Sequence, residues 1–284
     1  MGGKQSVCIE MDKLFSLKNK NIVVTGAAGL LGKKHVEVIA MAGGNPVLLD
    51  LSFPLIESMA KELNQQFGVN ASAYCVNITD EKAIAENAAI LLKKYGKIDG
   101  LVNNAANNPK VEDSAEKNFS RLENFPLDVW NADLAVGLTG AYLCAKHYGA
   151  IIAKNLEGGS IVNISSDLGL IAPDQRLYKK DGLPEELQPV KPVTYSVVKT
   201  GLIGLTRYLS TYWAHKNVRC NAICPGGVEN NQNTDFLQEV TSRIPLGRMA
   251  NADEYQGLLL FLLSKASSYL NGSVIAADGG RSAW

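Results

Sequence analysis

Between residues 21 and 44 a short apolar segment, Asn21-Ile-Val-Val-Thr25, leads into a glycine-spaced turn, Gly26-Ala-Ala-Gly29-Leu-Leu-Gly32. The turn opens an apolar stretch of helical spacing from Leu30 to Met41, stopped by Gly43-Gly44. A buried strand, a turn that admits close backbone approach and a helix starting on that turn make the first half of a β-α-β unit. A unit of this kind commits the chain to parallel pairing, because the next strand is reached only across a helix.

The alternation continues. Further strands are expected at 46–50, 71–76, 99–103, 160–165, 218–223 and 273–277. Helices are expected at 55–67, 80–95, 126–154, 194–215 and 253–264. Strands alternating with helices predict a parallel sheet, and right-handed crossovers then give an α/β fold. The expected architecture is a Rossmann-type, doubly wound three-layer sandwich around a seven-stranded, mainly parallel sheet. One domain over residues 17–284 is the economical organisation, with residues 1–16 as an N-terminal extension. Two segments break the pattern. Residues 170–193 carry four prolines and mixed charges, and residues 226–248 are polar. Both follow the C-terminal ends of strands, where ligands bind in such sheets, so both are expected to be substrate loops.

Composition narrows the partners. Lysine plus arginine and aspartate plus glutamate number 28 each. A zero balance argues against nucleic acid or an anionic membrane as the main partner. Five cysteines, Cys8, Cys75, Cys144, Cys220 and Cys224, form no CxxC pair. They read as free thiols in a reducing compartment, which implies a cytoplasmic protein. No apolar run is long enough for a membrane span. Residues 1–20 are too polar and broken for a signal peptide. Met1-Gly2-Gly3-Lys4-Gln5-Ser6 fits the short myristoylation pattern, or is an added leader before a start at Met11. His35, His147 and His215 are scattered over expected helices, so no metal site is indicated.

Three features point to chemistry. The glycines let backbone amides approach a pyrophosphate whose charge the helix N-terminus favours. Asp50 ends the second strand 24 positions past Gly26. A carboxylate there suits an adenosine ribose and would repel a 2′-phosphate, and no arginine or lysine follows closely. NAD is therefore expected rather than NADP. Tyr195-Ser-Val-Val-Lys199 then puts a phenol and an ammonium one helical turn apart on one face. A nearby cation favours the phenolate, so Tyr195 becomes a usable base for a substrate alcohol. The pair follows a strand ending in Asn163-Ile-Ser165-Ser166, where a serine hydroxyl can bond a substrate oxygen.

At this point the chain resembles the short-chain dehydrogenase/reductase family. The resemblance runs from about Leu17 to Gly280. It rests on Thr25–Gly32, Asp50, Asn77-Ile-Thr-Asp80, Asn103-Asn-Ala-Ala106, Ser166, Tyr195 with Lys199, Pro225-Gly226 and Asp278-Gly279-Gly280. It implies Tyr195 as catalytic acid/base, with Lys199 holding the nicotinamide ribose and lowering the tyrosine pKa. Ser166, rather than Ser165, would orient the substrate oxygen. Cofactor contacts are implied at Gly26, Gly29, Leu31, Gly32, Asp50, Leu51, Asn77, Ile78, Asn104, Ala105, Tyr195, Lys199, Pro225 and Gly226. The backbone near Val228 would meet the carboxamide.

Four departures from the family pattern stand out. The glycine spacing resembles that of the longer branch that modifies nucleotide sugars. Ala106 stands where glycine is usual. Gly137 falls where the family carries a helix asparagine whose carbonyl holds a relay water. Glycine keeps a carbonyl but loosens the helix by about 1 kcal/mol. Ser166 and Tyr195 are 29 positions apart, far more than usual, and the extra residues are expected to shape the substrate pocket.

Arg176, Tyr178, Lys179 and Lys180 in that loop suit a phosphate or carboxylate, or a solvated surface. The amides of Asn230, Asn231, Gln232 and Asn233 suit sugar hydroxyls. The loop, Pro225-Gly226-Gly227-Val228 and Ile244–Arg248 together look like dehydrogenases of surface-glycan and flagellin modification. The expected partner is thus a small hydroxylated or phosphorylated substrate such as a sugar. The expected function is hydride transfer between a secondary alcohol or ketone and nicotinamide. An epimerase or dehydratase that retains NAD, and a non-catalytic dinucleotide sensor, stay open. By the same resemblance the long helices, rich in Trp130, Tyr142, Tyr208, Tyr212 and Trp213, pair in a four-helix interface of a homotetramer.

Overall fold

The computed structural model describes residues 13–107 and 120–284. The proposed lipidation pattern, Cys8 and most of the N-terminal extension lie outside the described residues.

Seven strands form one sheet: β1 (Asn21–Thr25), β2 (Asn45–Asp50), β3 (Ser72–Cys75), β4 (Gly100–Asn103), β5 (Gly159–Ile164), β6 (Val218–Pro225) and β7 (Val274–Ala277). Their order is β3-β2-β1-β4-β5-β6-β7 and every pairing is parallel. β1 and β4 are buried along their whole length, which is why they read as continuous apolar runs rather than alternating ones. The helices are α1 (Leu30–Met41), α2 (Phe53–Phe67), α3 (Glu81–Tyr95), a composite α4 (residues 127–152), α5 (Val193–Tyr212), α6 (Thr234–Thr241) and α7 (Gln256–Leu263). Two apolar clusters flank the sheet. One joins α1, α2 and α7 to it, and the other joins α3, α4 and α5. The doubly wound sandwich is thus as expected.

Two elements differ from expectation. The stretch read as one helix over 126–154 runs as Leu127–Leu134, Gly140–Cys144 and Ala150–Ile152, joined by π segments Ala135–Thr139 and Ala145–Gly149. Glycines at 137, 140 and 149 let neighbours come close: added Cβ atoms would lie 2.5 Å from Val198, 2.7 Å from Ile78 and 2.7 Å from Trp213. Gly137 is therefore demanded by the packing of α5 against α4, which explains why no asparagine stands there. The second difference is α6, inside the segment read as a polar loop. Asn233 caps it by accepting from the Phe236 amide. Its Phe236, Leu237 and Val240 pack on Leu177 and Tyr178 of the other loop, so the two irregular segments are one structure.

His35 on α1 is 1% exposed, and neither ring nitrogen has a partner among the described residues. Burial pushes its imidazole from 6.5 down to about 4. The unfolded chain therefore binds the proton first as the pH falls, so stability present above about 6.5 is lost between there and about 4. The loss amounts to about 3 kcal/mol. His35→Met is expected to remove most of it, measured as urea unfolding at pH 7 and pH 4.5. Gly137→Asn is expected to cost about 1–3 kcal/mol through overpacking. Combining it with Val198→Ala should restore part of that loss.

Candidate active site

Successive crossovers leave β1 in opposite directions, so the chain parts between the C-terminal ends of β1 and β4. A crevice must open there. The structure has a cleft of about 630 Å³ at this place. Of the residues expected at cofactor and catalytic positions, all but Gly32 line it. Gly32 acts from behind: a Cβ there would fall 2.1 Å from the Gly26 carbonyl oxygen, so its role is to seat α1 under the turn.

The nucleotide half is built on Thr25. Its hydroxyl accepts from the amides of Asn104 and Ala105, each at 3.1 Å. The Asn104 side chain donates back to the carbonyls of Thr25 and Gly26, each at 3.0 Å. Gly26, at φ +63°, comes so near that an added Cβ would lie 2.8 Å from Ala105 Cα. Asp50 is engaged as well: one oxygen accepts from Ala28 N and the other from Ser52 N, both at 3.0 Å. It thus shapes the glycine turn from the far rim.

A dinucleotide fits this half. An added Cβ at Gly29 would meet only the Gly26 carbonyl oxygen, at 3.2 Å. The first turn of α1 holds neither an acidic residue nor a side-chain cap, so its amides and dipole face the cleft free for an anion. Asn77, whose carboxamide oxygen accepts from Thr79, Ile78 and Leu51 form the opposite rim.

The other half holds the catalytic candidates. β5 delivers Ser165 and Ser166, and α5 delivers Tyr195 and Lys199. Ser165 Oγ donates to the Lys199 carbonyl at 2.7 Å, which pins α5 to β5. Ser166 Oγ donates to Asp167 at 2.8 Å and accepts from the Leu168 amide at 3.2 Å. The Lys199 ammonium donates to the Ile164 carbonyl at 2.9 Å and stands 5.8 Å from the Tyr195 ring centre. Burial lowers its pKa from 10.5 to about 8. Burial raises the Tyr195 phenol, against the pull of Ser166. Burial, with Asp167 adding to it, raises the phenol, and Lys199, expected to lower it, does not count among the groups that move it.

Several cleft residues escaped the sequence reading. Asp167 is 4% exposed at its side chain. It pairs with Arg281 at 2.8 Å, from beyond the Asp278-Gly279-Gly280 turn. Lys191 lines the cleft from the inserted loop, as does Tyr178, which the sequence had singled out. The loop cations singled out from sequence do not. Arg176 pairs outward with Asp174, and Lys179 pairs with Glu185, because their own loop supplies the nearest carboxylates. Lys180 is likewise absent from the cleft wall, its backbone held by Gln188. Asn230 and Gln232 line the cleft, but Gln232 is spent on the loop's own backbone. Asn231 and Asn233 are off it. No triad of His, Cys, Asp or Glu among the described residues could hold a metal.

A profile described as short chain dehydrogenase matches residues 20–178, and one described as enoyl-(acyl carrier protein) reductase matches residues 185–282. A 3-oxoacyl-[acyl-carrier-protein] reductase of Thermotoga maritima is 33% identical over 93% of this chain and 98% of its own. An NADP-dependent mannitol dehydrogenase of Hypocrea jecorina is 32% identical over 94% of each chain. The crystal structure of an NAD+-bound xylitol dehydrogenase superposes with a TM-score of 0.80, covering 93% of this chain and 99% of that one; at 24% identity it attests the fold. The chain belongs to the short-chain dehydrogenase/reductase family. It is an NAD(P)-dependent oxidoreductase.

Arg281→Leu would leave Asp167 buried and unpaired. The expected cost is about 3–5 kcal/mol in chemical denaturation. Asp167→Asn in the same chain should recover most of it, because the uncompensated charge is then gone.

Proposed function

We propose that the protein transfers hydride between NAD and a secondary alcohol or ketone of a polyhydroxylated small molecule, such as a sugar or sugar derivative. The observation that carries this reading is the meeting of Ser166, Tyr195 and Lys199 on one wall of a cleft whose other end is a glycine cradle. When bound, a nicotinamide dinucleotide supplies the hydride acceptor or donor. Ser166 Oγ holds the reacting oxygen. Tyr195 Oη takes the hydroxyl proton in oxidation and returns it in reduction. Lys199, held by Ile164, keeps a positive charge beside the phenol. NAD is favoured because Asp50 places a carboxylate on the rim where a 2′-phosphate would lie. The mannitol dehydrogenase supports a polyol, although it uses NADP by its name. The likeness to surface-glycan and flagellin-modifying dehydrogenases gains no support from these relatives.

The assembly is proposed to be a homotetramer. Tyr142, Tyr208 and Tyr212 are half or more exposed on α4 and α5, and Tyr208 stacks on Tyr212 at 5.6 Å. Cys144, Cys220 and Cys224 are buried free thiols, as suits a reducing cytoplasm. No described helix is long and apolar enough to cross a membrane.

The test is a panel of alditols, aldoses, aldonates and sugar phosphates with NAD and with NADP, followed by nicotinamide absorbance. Turnover on at least one member is expected, with NAD preferred. Tyr195→Phe should lower kcat by about 10²–10⁴-fold. Oxidation should rise with pH as Tyr195 loses its proton, and reduction should fall. Full activity in Tyr195→Phe would overturn the assignment.

A further inference from the structure

Lys191 enters the catalytic half of the cleft at the end of the inserted loop, two residues before α5. Its backbone amide donates to Gln175 Oε1 at 2.8 Å, which fixes where the side chain begins. Its ammonium stands 4.0 Å from the Tyr195 ring centre, nearer than that of Lys199. The ring covers one side only, and no described residue accepts a hydrogen bond from this nitrogen or pairs with it.

The charges around it make the vacancy specific. Among the described residues, Lys191, Lys199 and Arg281 face this half of the cleft, against the one carboxylate of Asp167. Asp167 is already committed. It accepts from Ser166 Oγ, from the Leu168 amide and from Arg281, each at 2.8 Å. Lys199 is committed to the Ile164 carbonyl. Burial disfavours the Lys191 ammonium, and only Asp167 opposes this. A half-buried cation with unspent donors is stabilised by any anion that reaches it.

We propose that Lys191 anchors a carboxylate of the substrate, so the natural substrate is a hydroxy acid or the corresponding keto acid. One free ammonium balances one negative charge. A phosphate dianion would need a second free cation, and Arg281 and Lys199 are both engaged. The anchor stands beside Tyr195, so the carboxylate lies near the reacting hydroxyl rather than at the far end of a long chain. This assignment rests on the oxidoreductase reading of the same cleft and names its substrate class.

The test compares aldonates of four to six carbons with alditols of matching length and with sugar phosphates, in wild type, Lys191→Met and Lys191→Arg. Wild type is expected to prefer aldonates. In Lys191→Met, KM for aldonates should rise about 10–100-fold, with a smaller change in kcat, so that the preference for acid over alditol collapses. Lys191→Arg should keep much of it. Equal losses on acids and alditols, with a displaced pH profile, would show that Lys191 tunes Tyr195 instead, and would overturn the proposal. So would a wild-type preference for alditols or phosphates.

Tartrate binding, measured by calorimetry on the holoenzyme, separates the two readings. Binding lost in Lys191→Met supports the anchor whether or not the panel turns over. A panel silent in wild type counts against the polyhydroxylated-substrate reading alone. Tartrate bound equally by both proteins counts against the anchor alone.

Discussion

The hydroxyl of Thr25 holds together the two strand ends between which the cleft opens. It accepts both amides that follow β4, while Asn104 returns two hydrogen bonds to the carbonyls after β1. The sheet must part here, because its crossovers diverge, and an unbraced parting would let the glycine turn drift. Four hydrogen bonds across the gap fix the glycine turn. A second brace lies deeper. Asn103 donates to Asn163 on β5, and Asn163 donates to Thr206 on α5, each at 2.8 Å and all buried. This chain of amides ties the cofactor side of the sheet to the helix that carries Tyr195 and Lys199. Buried polar groups of this kind are costly when unmatched, so they favour one register of β4, β5 and α5 over any slipped one.

The alternation of strands and helices, the parallel sheet and the glycine turn were legible in the sequence because they depend on local signals. A glycine turn after an apolar run, an acid at the end of the next strand and helix stops at Gly43-Gly44 and Gly68 are short-range features. That Tyr195 and Lys199 share one helix face was legible for the same reason, being one helical turn apart. The catalytic half of the cleft was less so. Arg281 reaches Asp167 across 114 positions, and no periodicity announces such a pair. The loop cations misled because charge says nothing about direction. Arg176 and Lys179 turn outward since Asp174 and Glu185 neutralise them locally, whereas Lys191, set between Val190 and Pro192, has no acidic neighbour in sequence. Helix α6 was hidden by its polar lead-in of asparagines, one of which proved to be its cap.

Burial is the stronger influence on the two catalytic side chains, and its sign is the same for both. It raises the Tyr195 phenol and lowers the Lys199 ammonium, so each is driven toward its neutral form. Left alone, such a pair would hold no phenolate at neutral pH. The surroundings counter this with fixed donors rather than water. Ser166 pulls the phenol down, and the Ile164 carbonyl accepts from the ammonium. Because these groups are already oriented, little reorganisation accompanies proton transfer, which is the condition under which buried dipoles and charges stabilise a developing anion most. The ion pair of Asp167 with Arg281 belongs to the same arrangement. Without the guanidinium, a bare carboxylate beside Ser166 would oppose ionisation of Tyr195 more strongly.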